Sequence, residues 1–310
     1  MSTHGHRPHW RAWAAAALSA LALGAVLVVL LRQREIVLDS LDAMGRAPWW
    51  MVAIVVASPI ANWWIVAASF WIMNDRWART GLGETGALIG SAWLLNFLPL
   101  RPGMIGRVAY HKRFHGIAVR DSIRVLIELT ALGGVSMVVV LAAALASDAL
   151  GQPDALWWGA MTLGILGLAG VGWALRLAGR TAWRWFAVAS LRLADVLVWV
   201  VRYAVLFAMV GAPVSVREAA MLAIVSQIVL LVPISGNGLG LREAAVGALA
   251  GLAPGLLAIE VGDSSAESRA AFAAAADLVH RGIEVALAIP VGLVCTAWVG
   301  RRVARGGTGA

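Results

Sequence analysis

One cysteine, Cys295, is too few for an internal disulfide or a cysteine-based metal cluster. Charge is scarce as well. Only 14% of the 310 residues are Asp, Glu, Lys or Arg and 61% are hydrophobic, which excludes a water-soluble fold of this size. The chain lacks a G-x-x-x-x-G-K-[ST] run after a strand, so a nucleotide-binding loop is not expected. It also lacks acidic pairs set for acid/base work, an activated nucleophile and a zinc or phosphatase signature. The chain therefore reads as a non-enzyme that needs no cofactor and no metal. His4, His6 and His9 gather on a polar tail, where solvated side chains are the plain reading.

What the chain has in abundance is apolar length. Residues 12–31, 47–74, 129–147 and 155–175 carry no charge, and each run is long enough, or nearly so, to cross a hydrocarbon core of about 30 Å. The runs are continuous rather than alternating, so helices are the expected element. An all-α integral membrane protein follows. The first run, behind Arg7 and Arg11, is longer than the core of a signal peptide and reads as an uncleaved anchor. Tryptophans at segment ends, among them Trp49, Trp50, Trp157, Trp158, Trp183 and Trp298, match an interfacial belt. In such a protein a net charge of +8 points to anionic lipid headgroups rather than nucleic acid.

Two further apolar runs are cut short by proline and glycine. Residues 86–99 and 219–232 have 14 residues each. At about 1.5 Å per residue they reach roughly 21 Å, less than the core thickness. If both dip in and return, six full spans remain, at about 13–31, 48–74, 125–147, 155–175, 187–211 and 271–298. The expected organisation is a basic tail (1–12), one polytopic domain (13–298) and a second basic tail (299–310). Broken hairpins lie at about 84–118 and 218–257. The regions then assigned to the inside carry sixteen basic residues and those assigned to the outside six, so both termini are placed in the cytoplasm.

The two broken segments repeat one another. At a shift of 134 residues Glu84 falls on Glu218, Leu88 on Leu222, Pro99 on Pro233 and Gly106 on Gly240. Three full spans separate the copies, so they enter from opposite faces as an inverted repeat. Paired, Gly/Pro-interrupted segments of this kind point to the substrate site of a transporter, because bare backbone at membrane depth survives only around a polar cavity or inside protein. The amides near Gly238 to Arg242, with Ser235 and Asn237 beside them, and Arg101 and Arg107 at the first turn, suit an anionic headgroup.

Ionisable residues recur inside two spans. Arg192, Asp195, Trp199 and Arg202 share one helical face, as do Asp277, Arg281 and Glu284, with His280 beside them. Asp277 and Arg281 are spaced to pair with each other, which leaves Arg202, with no acidic neighbour in its helix, as the better headgroup contact. Glu128 lies one turn from Arg124 and is placed to pair with it.

The segments "NFLPLRPGMIGRVAYHKRFHG" (96–116), "VLIELTAL" (125–132), "VPISGNGLGLREAAV" (232–246) and "ADLVHRGIEVAL" (276–287) resemble the lysylphosphatidylglycerol synthase transmembrane-region (flippase-like) family over roughly residues 50–300. The resemblance puts Asn96, Pro99, Arg101, Gly103, Arg107, Glu128, Pro233, Gly238, Gly240, Arg242, Glu243 and Arg281 at family positions. Met104 stands where an acidic residue is usual, Leu129 and Ala131 or Leu132 replace an Arg and an Asp, and "SGNG" replaces a Pro-Gly-Gly-like turn. The soluble aminoacyl-transferase domain of the bifunctional members has no counterpart here, so the chain is not expected to make aminoacyl lipid itself.

Together these readings predict a flippase-like lipid transporter of a bacterial inner membrane. The expected headgroup contacts are Arg101, Arg107, Glu128, Arg202, Ser235, Asn237, Gly238, Gly240, Arg242, Glu243 and Arg281. The structural breaks are Pro99, Gly103, Gly106, Pro233 and Gly236. The expected partner is an anionic phospholipid, a hopanoid or another polar lipid, with a lipid-synthesis enzyme as a second candidate. The rival expectation is a non-transporting scaffold for the synthesis of lipid, hopanoid or envelope glycolipid.

Overall fold

A computed structural model describes residues 44–98, 101–231, 236–253 and 265–306, with 31, 38, 42 and 257 besides. The expected first span and N-terminal tail therefore lie outside the described residues, except Leu31, as do Pro99, Pro233 and Ser235. The described residues are helical, with no strand among them. In chain order the helices are α1 (Trp49–Asn74), α2 (Leu82–Leu95), α3 (Pro102–His115), α4 (Val119–Ala149), α5 (Asp154–Leu177), α6 (Trp183–Met209), α7 (Val216–Leu231), α8 (Leu241–Leu252) and α9 (Ala266–Gly306). A single 3₁₀ turn, Gly236–Gly238, stands between α7 and α8.

Four of these, α1, α4, α5 and α9, are long and apolar enough to cross a membrane. Large apolar side chains stay exposed on their outer faces, such as Leu163 on α5 and Val294 on α9, as lipid-facing residues would. Helix α6 has the length, 27 residues or roughly 40 Å, but Arg184, Arg192, Asp195 and Arg202 interrupt its apolar run. Charge does not exile it to the surface. It is the centre of the bundle, packed on α1, α4, α5 and α7, with Val188, Val196, Val200, Tyr203, Leu206 and Phe207 fully buried. Helix α9 continues to Gly306, so the expected C-terminal tail begins as helix rather than at residue 299.

The two broken segments are helix–turn–helix units. In both, the repeated glutamate is the third residue of the first arm. Ser215 at the start of α7 receives a bond from the Glu218 amide, and its own amide and hydroxyl donate to the Glu218 carboxylate at 2.8 Å, a reciprocal cap. Glu84 lies three residues beyond Gly81, the N-cap of α2. Its carboxylate accepts from the Tyr110 hydroxyl at 2.6 Å and contacts His115 Nε2 at 3.0 Å, tying the far end of α3 back to the start of α2.

Helix α2 ends at Leu95, and on the far side of the first interruption Arg101 stands in the left-handed region (φ 47°) before Pro102 starts α3. Gly103 and Gly106 are therefore not breaks: both lie inside α3. Gly103 is there for closeness, since a Cβ on it would sit 2.5 Å from the Ala92 Cα and 2.7 Å from its carbonyl oxygen. The described part of the second turn begins at Gly236, followed by Asn237, Gly238 and Gly240 at positive φ.

Helix α9 is the strut common to both units. Its first half lies along α8, where Gly247 and Gly251 face Ala270 and Ala266. Its second half lies along α2, where Gly292 meets Leu94, Gly90 meets Cys295, and Ser91 bonds Thr296 at 2.9 Å. Both breaks thus approach the middle of α9, from opposite directions. Gly103→Ala is expected to cost about 1–3 kcal/mol by forcing α2 and α3 apart. Gly106→Ala, with nothing within 4 Å of its added carbon, leaves stability unchanged or slightly raised. Thermal unfolding in detergent separates the two, and equal transitions would contradict the backbone contact at 92–103.

Candidate functional site

A proline begins the site. Pro59 sits inside α1, so its missing amide leaves the Val55 carbonyl without its helical donor. The Ser58 hydroxyl fills that place, donating to Val55 O at 3.0 Å, and its oxygen then accepts from Arg202 Nε at 2.7 Å. Asn62, one turn on, faces two ways. Its carbonyl oxygen accepts from Arg202 Nη2, and its amide donates to the Asp195 carboxylate at 2.6 Å. Two polar side chains in an otherwise apolar run thereby fix Asp195 and Arg202 of α6.

Behind them lies a closed ionic network on α6, α8 and α9. Glu284 is its hub: Arg202 reaches one carboxylate oxygen at 3.1 Å, and Arg242 and Arg281 reach the other at 2.9 and 3.2 Å. Arg242 also bonds Asp277 at 2.8 Å, and Arg281 bonds Glu243 at 3.0 Å. Tyr203 donates to Asp277 at 2.6 Å and contacts Ser226. The His280 ring lies between Arg202 Nη1, at 3.0 Å, and Arg242 Nη2, at 2.9 Å. All seven charged or imidazole side chains are buried. Three guanidinium groups meet three carboxylates, so the network is neutral, and each charge has the partner that burial demands.

Several expectations change here. Asp277 and Arg281 do not pair along their helix: each bonds across to α8. Arg202 is not free for a guest, since Glu284 of α9 neutralises it and the Trp199 ring lies 4.4 Å from its Cζ. Arg242, Glu243 and Arg281 likewise spend their charge inside the network. Glu128 turns away, bonded to Arg124 at 3.0 Å and to Arg76. Arg101 is half-buried at the first turn and does not reach the cavity described next. Gly238 and Gly240 are buried, and a side chain on Gly238 would come 3.2 Å from Leu230.

Beside the network opens a cavity of about 360 Å³. The first broken segment lines it with Ile89, Ala92, Trp93, Asn96 and Arg107; the second lines it with Gln227, Leu230, Leu231 and Asn237. The α6 face Arg192, Asp195, Trp199, Arg202 forms another wall, and Pro59, Asn62, Trp63 and Phe70 of α1 a further one. Of the sequence-predicted contacts, Arg107, Arg202 and Asn237 are brought together here.

The cavity's electrostatics are set by what is left over. Arg107 is buried with its guanidinium 3.8 Å from the Phe70 ring centroid, and no carboxylate pairs with it among the described residues. Arg192 pairs with Asp195 through Nη1 at 3.2 Å, while its buried Nε and Nη2 have no hydrogen-bond partner there. Gln227 Nε2 and Asn96 Oδ1 are buried in the same condition. Apart from the Asn96 oxygen, an acceptor, these groups are donors, and with the surplus positive charge and the aromatic frame they suit a partly dehydrated anion.

Asn62 and Gln227 were missed by sequence reasoning. Each is a carboxamide inside an uncharged run, the signal by which an intramembrane polar site is found. Comparison with protein-family models, with characterised proteins and with solved structures finds no match for this chain.

Glu284→Ala, which strands the buried Arg202 guanidinium and takes one of two carboxylates from Arg242 and from Arg281, is expected to cost roughly 3–5 kcal/mol. Asp148→Ala, which removes the half-exposed partner of Arg217, costs about 1 kcal/mol or less. Unfolding of the two variants in mixed micelles checks the ranking; similar losses would contradict the hub.

Proposed function

We propose that this chain is a flippase-like membrane transporter. In this reading it receives the anionic headgroup of an amphipathic lipid in the cavity between the two broken segments. The observation that carries the reading is the composition of that cavity. Residues from both interruptions line it, and it holds an arginine, Arg107, with no carboxylate against it among the described residues. Arg192 adds two buried donor nitrogens from the opposite helix. The phosphate of a lipid would accept from both, and the acyl chains would stay outside among the exposed apolar side chains.

The accompanying topology has six spans, two re-entrant hairpins and both termini in the cytoplasm of a bacterial inner membrane. Support comes from the charge distribution and from the way both breaks meet the middle of α9. Re-entry also gives the interrupted backbone at 96–101 and 236–240 a polar wall to line, as unwound chain at membrane depth requires. The resemblance to the lysylphosphatidylglycerol synthase transmembrane-region family points the same way. Alternating access would have the first hairpin rock against α9 while the neutral network holds α8 of the second hairpin to α6 and α9.

Phospholipid scrambling by purified protein in liposomes tests the reading. Arg107→Gln is expected to slow phosphatidylglycerol movement about tenfold, the loss of one charge-assisted hydrogen bond. Arg120→Ala, on an exposed part of α4, leaves it unchanged. Equal rates in wild type, Arg107→Gln and empty vesicles would remove transport and leave the scaffold reading, which requires a stable protein partner instead.

A further inference from the structure

A second cleft, of about 600 Å³, lies where the α1–α2 connection meets the end of α9. It is separate from the central cavity, and the Trp63 indole lines both. That indole is held in place by its Nε1–H, which donates to the Gly86 carbonyl at 2.9 Å.

The cleft is polar at one end and apolar at the other. At the polar end are Arg79, Glu84, His115 and Arg302. Glu84 is the sole carboxylate among them, and it is already engaged by Tyr110 and His115, with Arg302 Nε at 3.4 Å. Arg79 is exposed and has no ion pair or hydrogen bond among the described residues. Two guanidinium groups thus stand at an end with a single carboxylate, which only Arg302 reaches, and the balance there is positive. From there Cys295, Trp298 and Arg302, spaced three and four apart, run along one face of α9. Trp64 and Val294 flank this face and remain exposed to the surroundings of the bundle. The distance along α9 from Arg302 to Val294 is roughly 12 Å at about 1.5 Å per residue. A cationic end, a tryptophan collar and an open apolar slot in that order match an anionic phospholipid lying against the protein at the membrane–water boundary.

We infer that this cleft is a binding site for one anionic phospholipid, its phosphate on Arg79 and Arg302 and one acyl chain beside Trp64, Val294 and Trp298. The site is independent of what occupies the central cavity. Neither Arg79 nor Arg302 reaches that cavity, and Arg107 does not reach the cleft.

Native mass spectrometry of the full chain in detergent, titrated with dioleoyl phosphatidylglycerol or dioleoyl phosphatidylcholine, tests it. Arg107→Gln protein is the starting point, because it removes the cation of the central cavity that has no carboxylate against it among the described residues and keeps the cleft. It is expected to bind phosphatidylglycerol about fivefold more tightly than phosphatidylcholine, and Arg79→Ala is expected to weaken phosphatidylglycerol alone by about fivefold, the effect of one arginine near a headgroup. Adding Arg302→Ala deepens the loss. Arg79→Ala alone carries the test if the double variant fails to fold, since Arg79 supports no other side chain among the described residues. Equal affinity for the two lipids, or phosphatidylglycerol binding untouched by Arg79→Ala, overturns the inference. Loss of transport in Arg107→Gln with this binding intact would separate the two sites.

Discussion

The structure depends on Glu284. One carboxylate in the middle of α9 receives guanidinium groups from α6, α8 and its own helix, and so joins three buried arginines in one compensated cluster. Asp277 and Glu243 complete the balance. The arrangement sets α8 directly after a glycine-rich turn and holds that turn against α6 and α9. Because the network is neutral, it does not itself attract a guest. It acts as the rigid back wall of the cavity, while Arg107 and Arg192 face the space in front of it. Charge inside the protein therefore divides into a closed network that positions helices and the groups left to a ligand, Arg107 and the two nitrogens of Arg192 that Asp195 does not engage.

The interrupted segments take their place from the same strut. Glycine and alanine pairs let α8 lie close on the first half of α9 and α2 close on the second half, so the two gaps in helical hydrogen bonding come to one region. The proline in α1 adds a third gap, closed by Ser58 and passed on to Arg202. Unwound backbone, buried charge and cavity are thus parts of one construction rather than separate features.

Much of this was legible in the sequence. The apolar runs located α1, α4 and α5, the expected last span at 271–298 fell within α9, and the 134-residue repeat paired α2 with α7, whose first residues, Leu82 and Val216, are that far apart. The spacing of Arg192, Asp195, Trp199 and Arg202 placed all four on the face that lines the cavity. Partner choice was not legible. Asp277 and Arg281 are four residues apart and fit a helical pair, yet Arg242 and Glu243 bring better-placed partners from another helix, a fact of tertiary packing that no spacing along one helix contains. Gly103 and Gly106 looked like part of the break because glycine marks turns; Pro102 starts a helix ahead of them, and Gly103 serves contact with Ala92 instead. Asn62 and Gln227 escaped notice because a single amide barely alters an apolar run, although it changes what that run can touch.

A structure of the full chain in a phosphatidylglycerol nanodisc tests the central claim most directly. The account predicts headgroup density in the cavity between the two interruptions, with a phosphate oxygen within roughly 3 Å of both the Arg107 and the Arg192 guanidinium groups. Density for acyl chain alone at that place, or Arg107 turned out of the cavity toward the membrane surface, would contradict it.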